Sequence, residues 1–310
     1  MKIILIMTAV IVSIPFLIVN NYDKEINGSK EEIELKYLDS IDVRVKRSSG
    51  EIINVPLEEY VVGVVSGEMP ASFEMEALKA QSVASRTYVL KKIVNNKDND
   101  YDVVDTVSNQ VYLDDSELKN KWGDKYMEYI SKIKRAVKET YMQYLEYNGE
   151  IIDAFYFSTS NGYTEDSGVI FQKSLPYLQS VESNWDKNVA KAFYTSVDMS
   201  LQEFYERLDL EYSSSLEVRV LEKSKSNRII KLEINGNKFR GQDVYKKLGL
   251  RSYDFELVLV GNNVEIKTKG YGHGVGMSQY GAHGMAKDGY NYKDILEHYY
   301  VGTNLVSVNK

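Results

Sequence analysis

The chain has 310 residues, with 38 Lys and Arg against 45 Asp and Glu and a formal net charge of −7. At roughly 100–200 residues per domain this is one large or two modest domains with ample core. The acidic balance leaves no footprint for nucleic acid, and zero Cys excludes a disulfide scaffold, a thiolate nucleophile and Cys-ligated zinc.

Residues 3–22 carry no charge and follow Lys2, a length that suits one membrane span. A cleaved signal peptide is the alternative, but no small-residue cleavage site follows Val19. The reading adopted is a single N-terminal transmembrane helix over 1–22, a polar tether over 23–40 and an α+β domain over 41–308 that lies outside the cytoplasm. Residues 41–47 alternate apolar and charged, and a Ser48-Ser49-Gly50 turn leads to a partner strand at 51–55. Pro56 opens a short helix or buried segment ending near Gly67. Ser72 is placed as the N-cap of a helix running to Val94, whose Phe73, Ala77, Ala80, Ala84 and Tyr88 mark a buried face. A second helix spans 116–140, and Asn148-Gly149 joins a hairpin between 141–147 and 151–157. Residues 190–268, with strands near 216–222, 229–235, 255–260 and 264–268, form a smaller α+β lobe inserted in the main domain. Asn291 and Asp294 cap the last helix. The mixed order of elements makes the class α+β, one main domain with an inserted lobe.

Four segments can carry chemistry. Glu68 lies between Gly67 and Met69-Pro70, where Pro70 holds Met69 extended. It reads either as a solvated turn residue or as a carboxyl held rigidly at a cleft. The N-terminus of the helix that follows favours its ionised form. Gln81, Ser85 and Arg86 are the polar positions of that helix and, on periodicity, a solvent face. In Ala154–Thr164, aromatics give way to small hydroxyls, which suits a sugar or peptide ligand or an ordinary hairpin strand and loop. Residues 270–289 hold seven glycines with His273, Ser278, Gln279 and His283 among them; alternation at Gly270, Gly272, Gly274 and Gly276 calls for unusual φ or close approach. This is neither a dinucleotide loop nor a zinc spacing, and no G-x-S-x-G elbow or H-E-x-x-H is present.

Together these segments resemble the stage II sporulation protein D family of peptidoglycan lytic transglycosylases. The resemblance is carried by VPLEEYVVGVVSGEMPASFEMEALKAQSVASRTYVL (55–90), QVY (110–112), AFYFSTSNGYTEDS (154–167), LPYLQSVES (175–183), KKLGLRSYDFEL (246–257) and GYGHGVGMSQYGAHGMAKDGY (270–290). It covers about 50–308, and the first and last motifs are long. The family's catalytic glutamate, in its E-M-P element, falls on Glu68. The arginine of its A-R-T-Y element falls on Arg86, and Asn161 replaces the first Gly of S-S-G-G-x-T. The resemblance implies a substrate-binding set of Arg86, Gln81, Tyr156, Ser158, Ser160, Tyr163, Thr164, His273, Ser278 and Gln279. Some members bind zinc through Cys and His just before Q-V-Y. Val104, Ser108 and Asn109 stand in that stretch, so no metal and no cofactor are expected.

The implied substrate is peptidoglycan glycan stripped of stem peptides, cleaved to 1,6-anhydro-muramic acid products during forespore engulfment in sporulation. The implied partners are stage II sporulation proteins P and M, with the domain on the mother-cell membrane facing the septal wall. One carboxyl, Glu68, suffices as general acid and base if the sugar's own 6-hydroxyl is the nucleophile. The rival readings are a non-catalytic, glycan-binding enhancer of a cell-wall amidase and a structural protein of the engulfment complex.

Overall fold

In the computed structural model, which describes residues 41–307, the chain opens with the predicted pair of strands β1 (Asp42–Lys46) and β2 (Ile52–Pro56). Helix α1 (Leu57–Glu68) follows, then α2 (Met75–Asn95). A short β3 (Val103–Val104) adds to β1 in parallel. Next come α3 (Asp115–Trp122) and α4 (Tyr126–Glu139), separated by one 3₁₀ turn. The expected continuous helix over 116–140 is thus broken, at Gly123, whose φ of 50° no helix interior adopts. The hairpin at Asn148-Gly149 forms as β4 (Gln143–Tyr147) and β5 (Glu150–Ile151), with φ of 52° and 78° at the two turn residues. The partner strand ends there. Residues 156–157 form a separate strand, β6 (Tyr156–Phe157), that pairs elsewhere.

After α5 (Ser167–Phe171) and α6 (Asp186–Val189) the chain enters the region expected to be a lobe. It contains β7 (Tyr194–Ser200), α7 (Leu201–Arg207), β8 (Val218–Lys223), β9 (Ile229–Ile234), β10 (Asn237–Arg240), α8 (Gly241–Leu248), β11 (Phe255–Val260) and β12 (Asn263–Lys269). These make two antiparallel sheets, ordered β10-β9-β8 and β11-β12-β7. They enclose a hydrophobic cluster of Leu201, Phe204, Leu232, Val244, Val264, Ile266 and neighbours. The chain enters and leaves side by side, because Tyr194 in β7 pairs with Lys269 in β12. The chain closes with β13 (Met277–Ser278), α9 (Gln279–Lys287), α10 (Tyr292–Tyr299) and β14 (Asn304–Ser307). The capping box at Asn291 and Asp294 forms as expected. β13 pairs in parallel with β6, and β14 pairs with β4.

Helix α2 is the hub: α1, α4, α9, α10 and β4 all pack on it. The α+β class holds, and Val43–Ser307 forms one compact unit. The anchor and tether expected over 1–40 lie outside the described residues, and among the described residues no helix is long and apolar enough to cross a membrane.

Candidate functional site

Glu68 is the last residue of α1. The helix ends because Pro70 forces Met69 into extended backbone, at φ −124° and ψ 138°. The following helix begins only at Met75, with Glu74 rather than Ser72 at the N-cap position and no side-chain cap. This corrects the expected start of that helix, whose first turn lies further along the chain from Glu68 than Ser72 implied. Glu68 sits at the negative end of α1, where the helix dipole disfavours a second negative charge.

The residues that hold Glu68 come from distant parts of the chain. The Val111 N–H donates to its Oε1 at 2.7 Å. That contact depends on a glycine: a Cβ on Gly67 would lie 2.3 Å from the Val111 carbonyl oxygen. One turn earlier, a Cβ on Gly63 would meet the Tyr112 ring at 2.5 Å. The two glycines thus let the Gln110-Val111-Tyr112 segment lie directly on α1. Gln279, at the start of α9, bonds the same carboxyl. Burial raises the proton affinity of Glu68, against the Val111 N–H, Gln279 and the nearby Lys121 charge, which all lower it. The side chain nevertheless remains partly exposed.

Behind Glu68 lies a buried polar network. The Gln279 amide reaches Gln81 at 3.5 Å, and Gln81 donates to Ser85 Oγ at 3.0 Å. Gln110 donates to the Tyr156 hydroxyl at 3.0 Å and accepts from the Tyr60 hydroxyl at 3.1 Å. Burial pushes the Tyr60 and Tyr156 phenols well up, and the Glu68 charge adds to both. Gln81, Ser85 and Arg86, like Ser82, are fully buried, which overturns the assignment of those three to a solvent face.

Several residues of the expected substrate-binding set have internal roles. Arg86 has no exposed surface. Its Nε and Nη2 donate to Glu58 at 2.7 and 2.6 Å, and Nη1 donates to the Gln143 carbonyl at 3.0 Å. It ties α1 to α2 and β4 and presents no donor to a ligand. Ser160 and Ser278 are buried around Asp186, which accepts from the Ser160 N–H at 2.8 Å and from the Ser278 and Ser183 hydroxyls. Ser278 also caps α9. Thr164 donates to the Gln179 carbonyl and accepts from Val181 N–H, a brace between two loops. Gln81 stands behind Gln279 rather than in the open.

His273 packs among Phe155, Phe157 and Phe171, and its Nδ1 accepts from Val275 N–H at 3.1 Å. Burial, with Arg228 nearby, pushes it down to about 4, so it stays neutral through the ordinary pH range. Ser158 and Tyr163 are partly exposed, bonded to Thr159 and Glu182 respectively. Of the residues expected to bind substrate, Gln279 alone bonds Glu68, and Tyr156 lies within reach of its charge. Sequence reasoning missed Val111, Gln110 and Lys121, although QVY had been singled out as a motif and Gly63 and Gly67 lie one turn apart.

The glycine-rich segment has its expected backbone. Gly270, Gly272, Gly274 and Gly276 have φ of 84°, 107°, 86° and 80°. A Cβ on Gly276 would lie 2.0 Å from the Phe155 carbonyl oxygen, so close approach is what requires glycine there. Asn161 does not occupy a positive-φ position; Gly162 does, at 109°. Among the described residues no group of three or more His, Asp and Glu side chains is placed to hold a metal ion.

The site is thus a partly buried carboxyl at a helix end, held by a backbone N–H and an amide over a buried polar network. The chain belongs to the stage II sporulation protein D family. The family model described as "SpoIID: Stage II sporulation protein" matches residues 46–147. Stage II sporulation protein D of Bacillus amyloliquefaciens is 42% identical over 271 residues, covering 86% of this chain and 78% of that protein. Its counterpart in Bacillus subtilis (strain 168) is 41% identical over 271 residues, covering 86% and 79%. The amidase enhancer of Bacillus subtilis (strain 168) is 30% identical over 299 residues, covering 79% of this chain and 40% of that protein.

Proposed function

We propose that the chain is a peptidoglycan lytic transglycosylase in which Glu68 is the single general acid and base. The observation that carries this reading is the setting of Glu68. It is raised in proton affinity by burial, held by Val111 N–H and Gln279, and among the described residues the charge acting on it comes from Lys121, not from a second carboxylate. Hydrolytic glycosidases place two carboxyl groups across the scissile bond. A lone acid suits a reaction whose nucleophile is already tethered to the reacting ring.

Glu68 donates its proton to the glycosidic oxygen as the bond to the anomeric carbon breaks. The 6-hydroxyl of the same muramic acid attacks that carbon, and the carboxylate takes its proton. The products are a strand with a new free hydroxyl and a 1,6-anhydro end, with Glu68 protonated again. Tethering supplies the entropic advantage that an enzyme nucleophile otherwise provides. Burial and the end of α1 both favour the protonated acid.

The name of the family supports a role in sporulation. Forespore engulfment, substrate strands already stripped of stem peptides, and stage II sporulation proteins P and M as companions complete the proposal. The uncharged stretch 3–22 supports a single-pass anchor in the mother-cell membrane, with 41–308 working on the septal wall. The test is to incubate the protein with amidase-stripped glycan strands and analyse products by mass spectrometry, with Glu68→Gln in parallel and circular dichroism to confirm folding. Anhydro-muramic ends from wild type, falling at least ~10²–10⁴-fold in Glu68→Gln, are the expected result. The relative named as an amidase enhancer favours one alternative, a glycan-binding module that stimulates an amidase. Bound glycan, no anhydro ends and a faster amidase would establish that reading.

A further inference from the structure

Lys121 lies near the end of α3, and its Nζ donates to the Ser66 carbonyl at 2.9 Å and the Gly67 carbonyl at 3.5 Å. These belong to the last turn of α1, whose carbonyls have no partner within the helix. A left-handed glycine often closes such an end; here Met69 is extended and a lysine from another helix does so. Among the described residues Lys121 forms no ion pair, and Glu68 is the acid that acts on it. Helix α3 is aimed by its own cap: Asp114 and Glu117 make a capping box directly after the segment whose Val111 N–H holds Glu68.

We propose that Lys121 is a positioning residue for Glu68, clamping the last turn of α1 and holding one positive charge within electrostatic reach of the carboxyl. The remaining groups around Glu68 are neutral at working pH. Helix α1 contributes Tyr60, α2 contributes Tyr88 and β6 contributes Tyr156, all phenols raised by burial and by the Glu68 charge. The 110–112 segment contributes an N–H, and α9 contributes Gln279. Lys121 is therefore the charged group that, beside the Val111 N–H and Gln279, works against burial and favours the carboxylate that must take back a proton. The role in catalysis rests on the proposed function; the electrostatic role does not.

The test uses the full-length chain in detergent, labelled with ¹³C-glutamate, with Glu68→Gln identifying the Glu68 carboxyl signal. Lys121→Gln keeps a donor to the carbonyls and removes the charge; Lys121→Arg keeps both. The expected result is a Glu68 midpoint that rises by about half a unit or more in Lys121→Gln, as loss of a nearby opposite charge requires, and returns in Lys121→Arg. On stripped glycan the alkaline limb of the rate profile moves up with it, because the general acid must be protonated. An unmoved midpoint in Lys121→Gln, or an equal shift in Lys121→Arg, overturns the proposal. A shifted midpoint with no anhydro product from any form leaves it standing and removes the enzyme reading instead.

Discussion

The hydrophobic cluster within 199–266 and the polar network around α1 and α2 bury opposite kinds of side chain, although 199–266 also buries Ser226 and Arg228 where it meets Glu165 and Tyr163. In the first, the interior is Leu201, Phe204, Leu232, Ile234, Val244 and Val264, and the ion pairs Arg219–Glu233, Lys231–Glu222 and Arg240–Asp243 all lie on the surface. In the second, Gln81, Ser82, Ser85, Arg86 and Gln110 are wholly inside, each with a partner. An unpaired buried polar group costs several times what a satisfied one does. A polar interior is therefore retained where it fixes something in place. Here it fixes Gln279 and Tyr156 and, through Gln279, the carboxyl of Glu68.

That contrast can be broken in either region. Arg86→Met leaves Glu58 without its bidentate partner in a largely buried site and should cost about 3–5 kcal/mol in urea unfolding. Full stability with lost activity would instead make Arg86 a ligand contact. Leu232→Ala in the apolar region should cost about 2–5 kcal/mol, while any glycan cleavage by the folded fraction keeps its wild-type pH profile. Gly67→Ala forces the Val111 carbonyl away and should cost about 1–3 kcal/mol; the sharper sign is a displaced Val111 amide resonance and a raised Glu68 midpoint. The smallest effect concerns His273. Unfolded, it takes a proton near 6.5; folded, only near about 4. Its contribution to stability is thus present above 6.5 and lost as pH falls toward 4. Urea unfolding at the two ends of that range should show a flatter decline in His273→Gln than in wild type.

Local rules were enough for much of the fold. Asn148-Gly149 made its hairpin and Asn291 made its capping box because both signals act within four residues. The strands at 255–260 and 264–268 paired as read. Failures came where the deciding partner is remote in sequence. Arg86 is buried with its partner Glu58 standing 28 positions away, and Gln81 has Ser85 four positions on and Gln279 198 positions away. Periodicity cannot see such pairs and assigns those polar positions to solvent. Glu68 itself was legible from its motif, but its environment was not. Reading α2 back to Ser72 began that helix too near Glu68 along the chain, and the α1 end that holds Glu68 brings a dipole of the opposite sign. Ser160, Thr164 and Ser278 were hydroxyls of the right kind, but they serve loops and a cap.

The central claim is that one carboxyl acts without a water nucleophile. The most direct measurement is digestion of stripped glycan strands in H₂¹⁸O, with mass spectrometry of the new ends. The account predicts 1,6-anhydro ends free of ¹⁸O that disappear in Glu68→Gln. New reducing ends carrying ¹⁸O would contradict it, since they require an attacking water that Glu68 alone is not placed to supply.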